Sequence, residues 1–322
     1  MTSKKFLIPD GIEYYTDDEA LLFENLKSST LKIFKKYNYQ FVITPIIDSL
    51  NNLTNLNGDN LKNFTTRLSH TRELGVRADI TPQVVRLDYQ SYKSKKSNKY
   101  SYMGDIYRET SSPFDRNNPF QIGAEFFGDV NDNVDLQLIK MCYEIVSLSK
   151  AKRIVIDLND SLFINQFLKT LKLSPRSKEN LISFISMKSY DEIKFLLDKE
   201  KVAKLKTKEI FDLLSLDGSS SMIQDIKKFC KVYSYDAGSN IKSLANISNK
   251  LKNLKGVKIN IDLCSIKSMD YESGFNYSLY VDNLRKPIAV GGRYDSYKCN
   301  DNSMRNATGF SIDLKDIVSI YE

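Results

Sequence analysis

Gly75-Val76-Arg77-Ala78-Asp79-Ile80-Thr81-Pro82-Gln83-Val84-Val85-Arg86 sets an acid and two arginines at fixed offsets around a Thr-Pro turn. That grouping suits a free amino acid. Its ammonium needs carboxylates or amide oxygens, and its carboxylate needs a cation or backbone donors. Thr81 fits there either as a hydroxyl donor to a ligand or as a residue that caps the turn.

The surrounding chain has 322 residues, 41% of them apolar, enough for a packed core at a length that ordinarily means two domains. Residues 1–10 lack the apolar run of a signal peptide, and no apolar segment of about 18 residues occurs, so the expectation is a cytoplasmic protein that spans no membrane. Cys142, Cys230, Cys264 and Cys299 are far apart and form no CxxC pair, which indicates neither a metal site nor a disulfide framework. They read as reduced thiols, and no cofactor is expected. A net charge of +7 raises the question of nucleic acid. Yet Lys93, Lys95, Lys96 and Lys99 are interleaved with Ser94, Ser97 and Asn98 in a chain rich in Lys, Asn and Ile, so the excess reads as composition and no nucleic-acid partner is expected.

Thr16-Asp17-Asp18-Glu19 fits a capping box that starts a helix, with Leu22, Leu26, Ile33 and Phe34 following at near-helical spacing. Phe41 to Pro45 reads as a strand ended by proline. Residues 51–66 read as a surface loop, and 91–99 as a polar turn between strands. Val134, Leu138, Met141, Ile145 and Leu148 share one face of a helix over 134–149, and 153–158 alternates as a strand. From 159 to 254 the pattern is almost all helical, broken at Pro175, Asp217-Gly218 and Ala237-Gly238. Strand patterning returns at 257–263, 276–281 and 287–290 and should pair with the N-terminal sheet.

Two further segments accompany the opening one. Tyr107-Arg108 precedes Gln121-Ile122-Gly123-Ala124-Glu125-Phe126-Phe127-Gly128, and Gly291-Gly292-Arg293-Tyr294-Asp295 precedes Gly309-Phe310-Ser311-Ile312. In that order the three segments resemble the core of histidyl-tRNA synthetases, from about Pro9 to Leu314. Within that group the chain most resembles the regulatory subunits of ATP phosphoribosyltransferase, which do not charge tRNA. The resemblance implies an α+β fold, a class II synthetase-like antiparallel sheet flanked by helices. Its core would be discontinuous, residues 1–158 and 255–322, with a helical insertion at 159–254. The helix, strand and proline near the N-terminus resemble the motif through which class II synthetases form homodimers.

The resemblance also places a histidine site. Asp79 falls where synthetases carry the Glu of an Arg-Pro-Glu-Gly-Thr stretch, and Gln121 and Glu125 keep a Gln-x-x-x-Glu spacing that aims both into one pocket, because strand residues four apart face the same way. Arg108 lies where the family sets an arginine against the amino-acid carboxylate, a role suited to a guanidinium fork. Thr81 and Tyr271 complete the set. The two glycines at 291 and 292 suit a tight turn or a close backbone approach to a ligand.

Departures from the synthetase pattern matter as much. An Arg-Gly-Leu-Asp-Tyr-Tyr-Thr-Gly segment reads Lys267-Ser268-Met269-Asp270-Tyr271-Glu272-Ser273-Gly274 here, and a Gly-Leu-Glu-Arg ending reads Asp313-Leu314-Lys315-Asp316. Lys267 thus replaces the adenylation arginine, and Asp316 stands where an arginine would clamp the ATP γ-phosphate. An aspartate there repels polyphosphate, so adenylation should be badly impaired. The loop over 109–119 keeps Arg116 but not the arginine- and glutamate-rich pattern that grips ATP. The chain ends at Glu322, leaving no room for an anticodon-binding domain. These features imply a noncatalytic regulatory subunit. It would activate a short-form ATP phosphoribosyltransferase, assemble with that catalytic chain as a homodimer within a hetero-oligomer, and take free histidine as inhibitory effector. Two alternatives stay open: a truncated amino-acid-activating enzyme, or an RNA-binding regulator with the synthetase shape.

Overall fold

Helix α1 (Asp17–Lys36) begins where the Thr-Asp-Asp-Glu run predicts. Its first turn carries Asp17, Asp18 and Glu19 and its last turn Lys35 and Lys36, the charge order that the helix dipole favours. Thr16 makes no side-chain cap hydrogen bond, so the start rests on charge and packing rather than on a reciprocal capping box. The computed structural model describes residues 8–9, 11–54, 65–69, 73–92, 96–109, 115–265, 272–299 and 302–321.

After α1 come strand β1 (Gln40–Val42), β2 (Ile47–Ser49), the short helix α2 (Leu50–Thr54), β3 (Thr66–Ser69), β4 (Leu74–Val76) and helix α3 (Thr81–Ser91). Strands β2, β4 and β3 form a small separate sheet. The Thr-Pro step opens α3 rather than making a turn alone. Proline belongs in a first helical turn because its fixed φ matches and its missing N–H would have no partner there. The polar stretch near 91–99 therefore links a helix to a strand, not two strands.

The main sheet adds β5 (Asn98–Asp105), β6 (Phe120–Phe127), β7 (Ile154–Asp160), β8 (Asp217–Ser219), β9 (Val257–Asp262), β10 (Glu272–Val281), β11 (Ala289–Lys298) and β12 (Met304–Asp313). Its order is β1-β5-β6-β12-β11-β10-β7-β9-β8. Pairing is antiparallel except at β1 with β5 and β7 with β9. The strands after residue 257 thus join the N-terminal ones in a single sheet. Helix α4 (Asp132–Val146) starts on Asn131, whose side chain caps Asn133 and Val134. Its Leu138, Met141 and Ile145 are fully buried, each contributing roughly 1.5–3 kcal/mol. Val134 and Leu148 sit half-buried at the rim.

Between β7 and β9 the chain runs through helices α5 (Ser161–Thr170), α6 (Pro175–Ser186), α7 (Tyr190–Lys199), α8 (Lys204–Leu214), α9 (Ile223–Tyr233) and α10 (Gly238–Leu251). The breaks fall near Pro175, Asp217 and Gly238, but Asp217-Gly218 forms the edge strand β8 instead of a turn. Buried Leu181, Leu197, Leu213 and Leu244 of these helices belong to the same apolar cluster as Ile122, Leu158 and Leu279 of the sheet. A final helix, α11 (Leu314–Ser319), is capped by Asp313. Among the described residues no helix is long and apolar enough to cross a membrane, and no three His, Cys, Asp or Glu side chains are grouped to hold a metal ion.

Candidate functional site

Alternation along the strands gives the sheet two unlike faces. In β6, Ile122 and Ala124 join the helix-covered core, while Gln121 and Glu125 point the other way. Register then lines up one row across the sheet: Glu125 pairs with Gly309, Gly309 with Gly292, Gly292 with Asn276 and Asn276 with Asn159. The two glycines leave the middle of that row without side chains. A Cβ at Gly309 would strike the Glu125 carboxylate, and one at Gly292 would strike Asn276. Gly291 and Gly292 are therefore a close-approach feature inside β11, not a turn.

Asp79, Thr81, Gln121 and Glu125 converge over this row, all buried. Asp79 Oδ1 accepts from the Thr81 backbone N–H at 2.9 Å and from Gln121 Nε2 at 2.9 Å. Gln121 Nε2 also donates to Ser311 Oγ at 2.9 Å, while its Oε1 accepts from the Ile80 N–H at 2.9 Å. The amide is thus committed within the protein: Gln121 positions Asp79, whose Oδ2 stays turned toward Arg108 at 3.8 Å.

Glu125 accepts from three hydroxyls. Thr81 Oγ1 and the Tyr102 hydroxyl reach Oε1 at 3.1 and 3.2 Å, and the Tyr294 hydroxyl reaches Oε2 at 2.9 Å. Complete burial nevertheless pushes this carboxyl up to about 8, with the nearby Asp79 charge adding to the effect and the three hydroxyls opposing it. A cation arriving beside it would favour its ionised form. Tyr102, Tyr294 and Ser311 were not singled out in sequence. Tyr294 sits in the Gly-Gly-Arg-Tyr-Asp segment, the one signal that pointed toward it.

Arg108 donates through Nε and Nη2 to the Ala78 carbonyl at 3.1 and 2.8 Å, and its side chain remains a third exposed. Of the two arginines in the opening stretch, neither is in the pocket. Arg77 donates to the Asp105 and Thr44 carbonyls at 2.8 Å each and to Thr44 Oγ1 at 2.7 Å, a structural tie that Gly104 makes room for. Arg86 pairs with Asp48 on the surface. Tyr271 and Lys267 lie outside the described residues.

The recess bounded by Asp79, Thr81, Glu125, Gly292, Tyr294 and Gly309 has a free volume of about 40 Å³. That admits a few waters. Val290 and Ser311 also line a larger cleft of about 410 Å³, so the recess and the cleft adjoin. Arg108, Arg116, Lys286, Asp313 and Asp316 face that cleft. Arg116 binds Asp313 Oδ2 at 2.9 Å, Asp316 Oδ1 at 3.2 Å and Glu13 Oε2 at 3.1 Å. Lys286 binds Asp316 Oδ2 at 3.0 Å and Asp115 Oδ1 at 3.3 Å. Burial, reinforced by the neighbouring Asp316, raises the Asp313 carboxyl to about 6. Arg116 and Lys286, which would otherwise be available to phosphates, are matched by the protein's own acids.

The family model described as histidyl-tRNA synthetase matches residues 11–317. The ATP phosphoribosyltransferase regulatory subunit of Nitrosococcus oceani is 27% identical over 323 residues, spanning 99% of this chain and 81% of the relative. That of Pseudomonas aeruginosa is 28% identical over 327 residues, spanning 99% and 82%. Among solved structures, an ATP phosphoribosyltransferase regulatory subunit/histidyl-tRNA synthetase from Bacillus halodurans superposes with a TM-score of 0.82 at 17% identity, covering 99% of this chain and 84% of that one. A chain of the ATP phosphoribosyl transferase (HisG:HisZ) complex from Thermotoga maritima gives a TM-score of 0.68 at 19% identity, over 89% and 96%. At such identities these structures speak for the class II synthetase-like fold.

Proposed function

The chain belongs to the histidyl-tRNA synthetase family, and from that premise we propose that it is a noncatalytic regulatory subunit. It activates a short-form ATP phosphoribosyltransferase and carries feedback inhibition by histidine in the first step of histidine biosynthesis. One contrast carries the reading. An amino-acid recess keeps its acid, amide and hydroxyl groups, while the cleft beside it presents Asp316 paired to Arg116 and Lys286 where a synthetase would clamp phosphate. Relatives 27% and 28% identical across 99% of the chain, which carry the regulatory-subunit name, support the same conclusion.

In this reading Asp79 and Glu125 take the histidine ammonium, Thr81 lines the recess with its hydroxyl bonded to Glu125, Arg108 meets the carboxylate, and Gln121 holds Asp79 in place. Tyr271 is assigned by resemblance alone. The partner is the short catalytic chain. Self-association uses α1 and β1, next to which Phe41 of β1, Ile43 and Ile46 of the link that follows and Ile47 of β2 leave apolar side chains exposed, Ile43 by 83%. Residues 159–254 are an insertion between the two parts of the core.

The test mixes this chain with the short catalytic subunit of the same genome and follows phosphoribosyl-ATP formation with and without histidine. Activity that appears only in the mixture and falls with histidine is expected. Unchanged catalysis would overturn the reading, and histidine-dependent pyrophosphate exchange by this chain alone would make it an activating enzyme instead.

A further inference from the structure

Between Gly292 and Tyr294, which both border the recess, stands Arg293, and alternation sends its side chain to the opposite face of β11. Its strand partner is Thr308, next to Gly309 on β12. Both side chains turn toward α4 and meet one carboxylate. Arg293 donates to Asp135 Oδ2 through Nε at 2.9 Å and also through Nη2, and Thr308 Oγ1 donates to Asp135 Oδ1 at 3.0 Å. Asp135 is fully buried. The two strands that floor the recess are therefore tied to one helix, a single residue along from the Gly292–Gly309 pair.

The network continues into the helices between β7 and β9. One turn earlier on α4, Asp132 Oδ1 accepts from Arg293 Nη2 at 3.3 Å and from Ser243 Oγ at 2.7 Å, while its Oδ2 accepts from Asn246 Nδ2 at 2.9 Å. Asn240 Nδ2 donates to Asp160 Oδ2 at 2.7 Å, at the end of β7. Residues 240, 243 and 246 recur every three positions and so share one side of α10, the last helix before the chain returns to the sheet. Arg293 sits at the centre: Asp132 and Asp135 pair with it, and its guanidinium carbon lies 5.9 Å from the centre of the Phe275 ring on β10. Apolar side chains of similar volume often stabilise a fold as well as a buried ion pair does, so stability alone does not account for this one.

We propose that Arg293 is a positioning residue for the recess: by locking β11 to α4 it sets Tyr294 against Glu125, and through Asp132 it makes affinity at the recess depend on how α10 is docked. The inference rests on the histidine-binding reading given above. Tyr294 has to bring its hydroxyl to Glu125 Oε2 at 2.9 Å, and groups of a site keep such geometry to within about 0.5 Å only when their supports are themselves locked. Of the three hydroxyls on Glu125, that of Tyr294 most favours the ionised form. Asp79, Thr81 and Tyr102 also face this carboxyl, with Tyr39 and Tyr277 at longer range, and all of them stay in place when Arg293 is changed. A displaced Tyr294 therefore pushes Glu125 further up.

Two variants test this. Arg293→Lys keeps the charge and loses the fork, and Ser243→Ala combined with Asn246→Ala removes the α10 contacts to Asp132 without touching the recess. Calorimetry with L-histidine on the complex with the catalytic chain, at several pH values, is paired with urea unfolding of the chain alone. Both variants should weaken histidine by roughly two- to thirtyfold, the range over which supporting residues modulate a site. Arg293→Lys should also shift the pH dependence of histidine affinity to higher pH, and should extend to higher pH the loss of stability that a raised Glu125 produces, neither of which a purely structural tie would do. Wild-type histidine affinity in either variant, or an unmoved pH profile in Arg293→Lys, would overturn the proposal whatever stability is lost. The α10 variant decides the matter if Arg293→Lys does not fold. A wild-type complex that binds no histidine would instead remove the function reading, and the pH profile of unfolding would then judge the positioning role by itself.

Discussion

Glu125→Gln separates the proton on this acid from its shape. The wild-type carboxyl, ordinarily near 4.5, is raised to about 8 by burial. Asp79 faces it from just ahead of α3, Tyr102 from β5 and Tyr294 from β11, with Tyr39 and Tyr277 also close enough to couple electrostatically. Between those two values the folded protein holds a proton that the unfolded chain releases, so stability falls as pH rises, by about 1.4 kcal/mol per unit. From about pH 6.5 to about pH 8 the loss is roughly 2 kcal/mol. Asp313, raised to about 6, has the same sign but has mostly titrated before that window opens.

Glutamine mimics the protonated acid. Its Oε1 can accept from Thr81 and Tyr102, and the Tyr294 hydroxyl can rotate to accept from its Nε2. Urea denaturation of both proteins at several pH values is the assay. The variant should lack the falling limb and should exceed wild type by about 2 kcal/mol near pH 8 relative to their difference near pH 6.5. Parallel profiles would refute the argument, because they would mean that Glu125 is already ionised within the fold. The proposed histidine binding has the opposite sign: pairing with an ammonium favours the carboxylate, so wild-type affinity should rise toward pH 8, and Glu125→Gln should remove that rise.

Arg116→Ala leaves Asp313 and Asp316 with one cation fewer, and breaking a buried pair from one side should destabilise the fold by about 3 kcal/mol in urea unfolding. Gly309→Ala drives a methyl into the Glu125 carboxylate, for a loss of about 1–3 kcal/mol in stability together with histidine binding by calorimetry. Gln121→Leu strips a donor from Asp79 and an acceptor from the Ile80 N–H, and should weaken histidine about tenfold without any direct contact to the ligand.

How far these features were legible in sequence depends on the range of the interaction behind each. Glu125 and Gln121 are marked by the resemblance, and a four-residue spacing on one strand places both on one face. Tyr102 and Tyr294 escaped because the carboxylate they share lies 23 and 169 positions away. Arg77 shares the opening stretch with Asp79, yet Gly104, on a strand 27 positions on, gives its guanidinium a bed against backbone carbonyls. The glycine pair suits either a turn or a close backbone approach, and local propensity cannot choose between them because it cannot see Asn276 and Tyr277 packed against the pair from the next strand. Periodicity served best where burial is one-sided, as along α4.

On the proposed function, the same distinction explains how one synthetase-like frame can keep one pocket and abandon its neighbour. The amino-acid recess is held by groups that satisfy one another without a ligand: Gln121 anchors Asp79, and three hydroxyls anchor Glu125. Such a recess is preorganised by its own bonds rather than by groups in the neighbouring cleft. The cleft is different, because cations awaiting a polyphosphate are costly when empty and buried. Asp316 relieves that by giving Arg116 and Lys286 a permanent partner. A triphosphate entering there would have to displace bonded carboxylates from both cations and then sit beside them, so its gain would be spent against a network already made. One aspartate therefore both neutralises the two cations of the cleft and disfavours nucleotide, while the recess proposed to hold an amino acid keeps its own bonds.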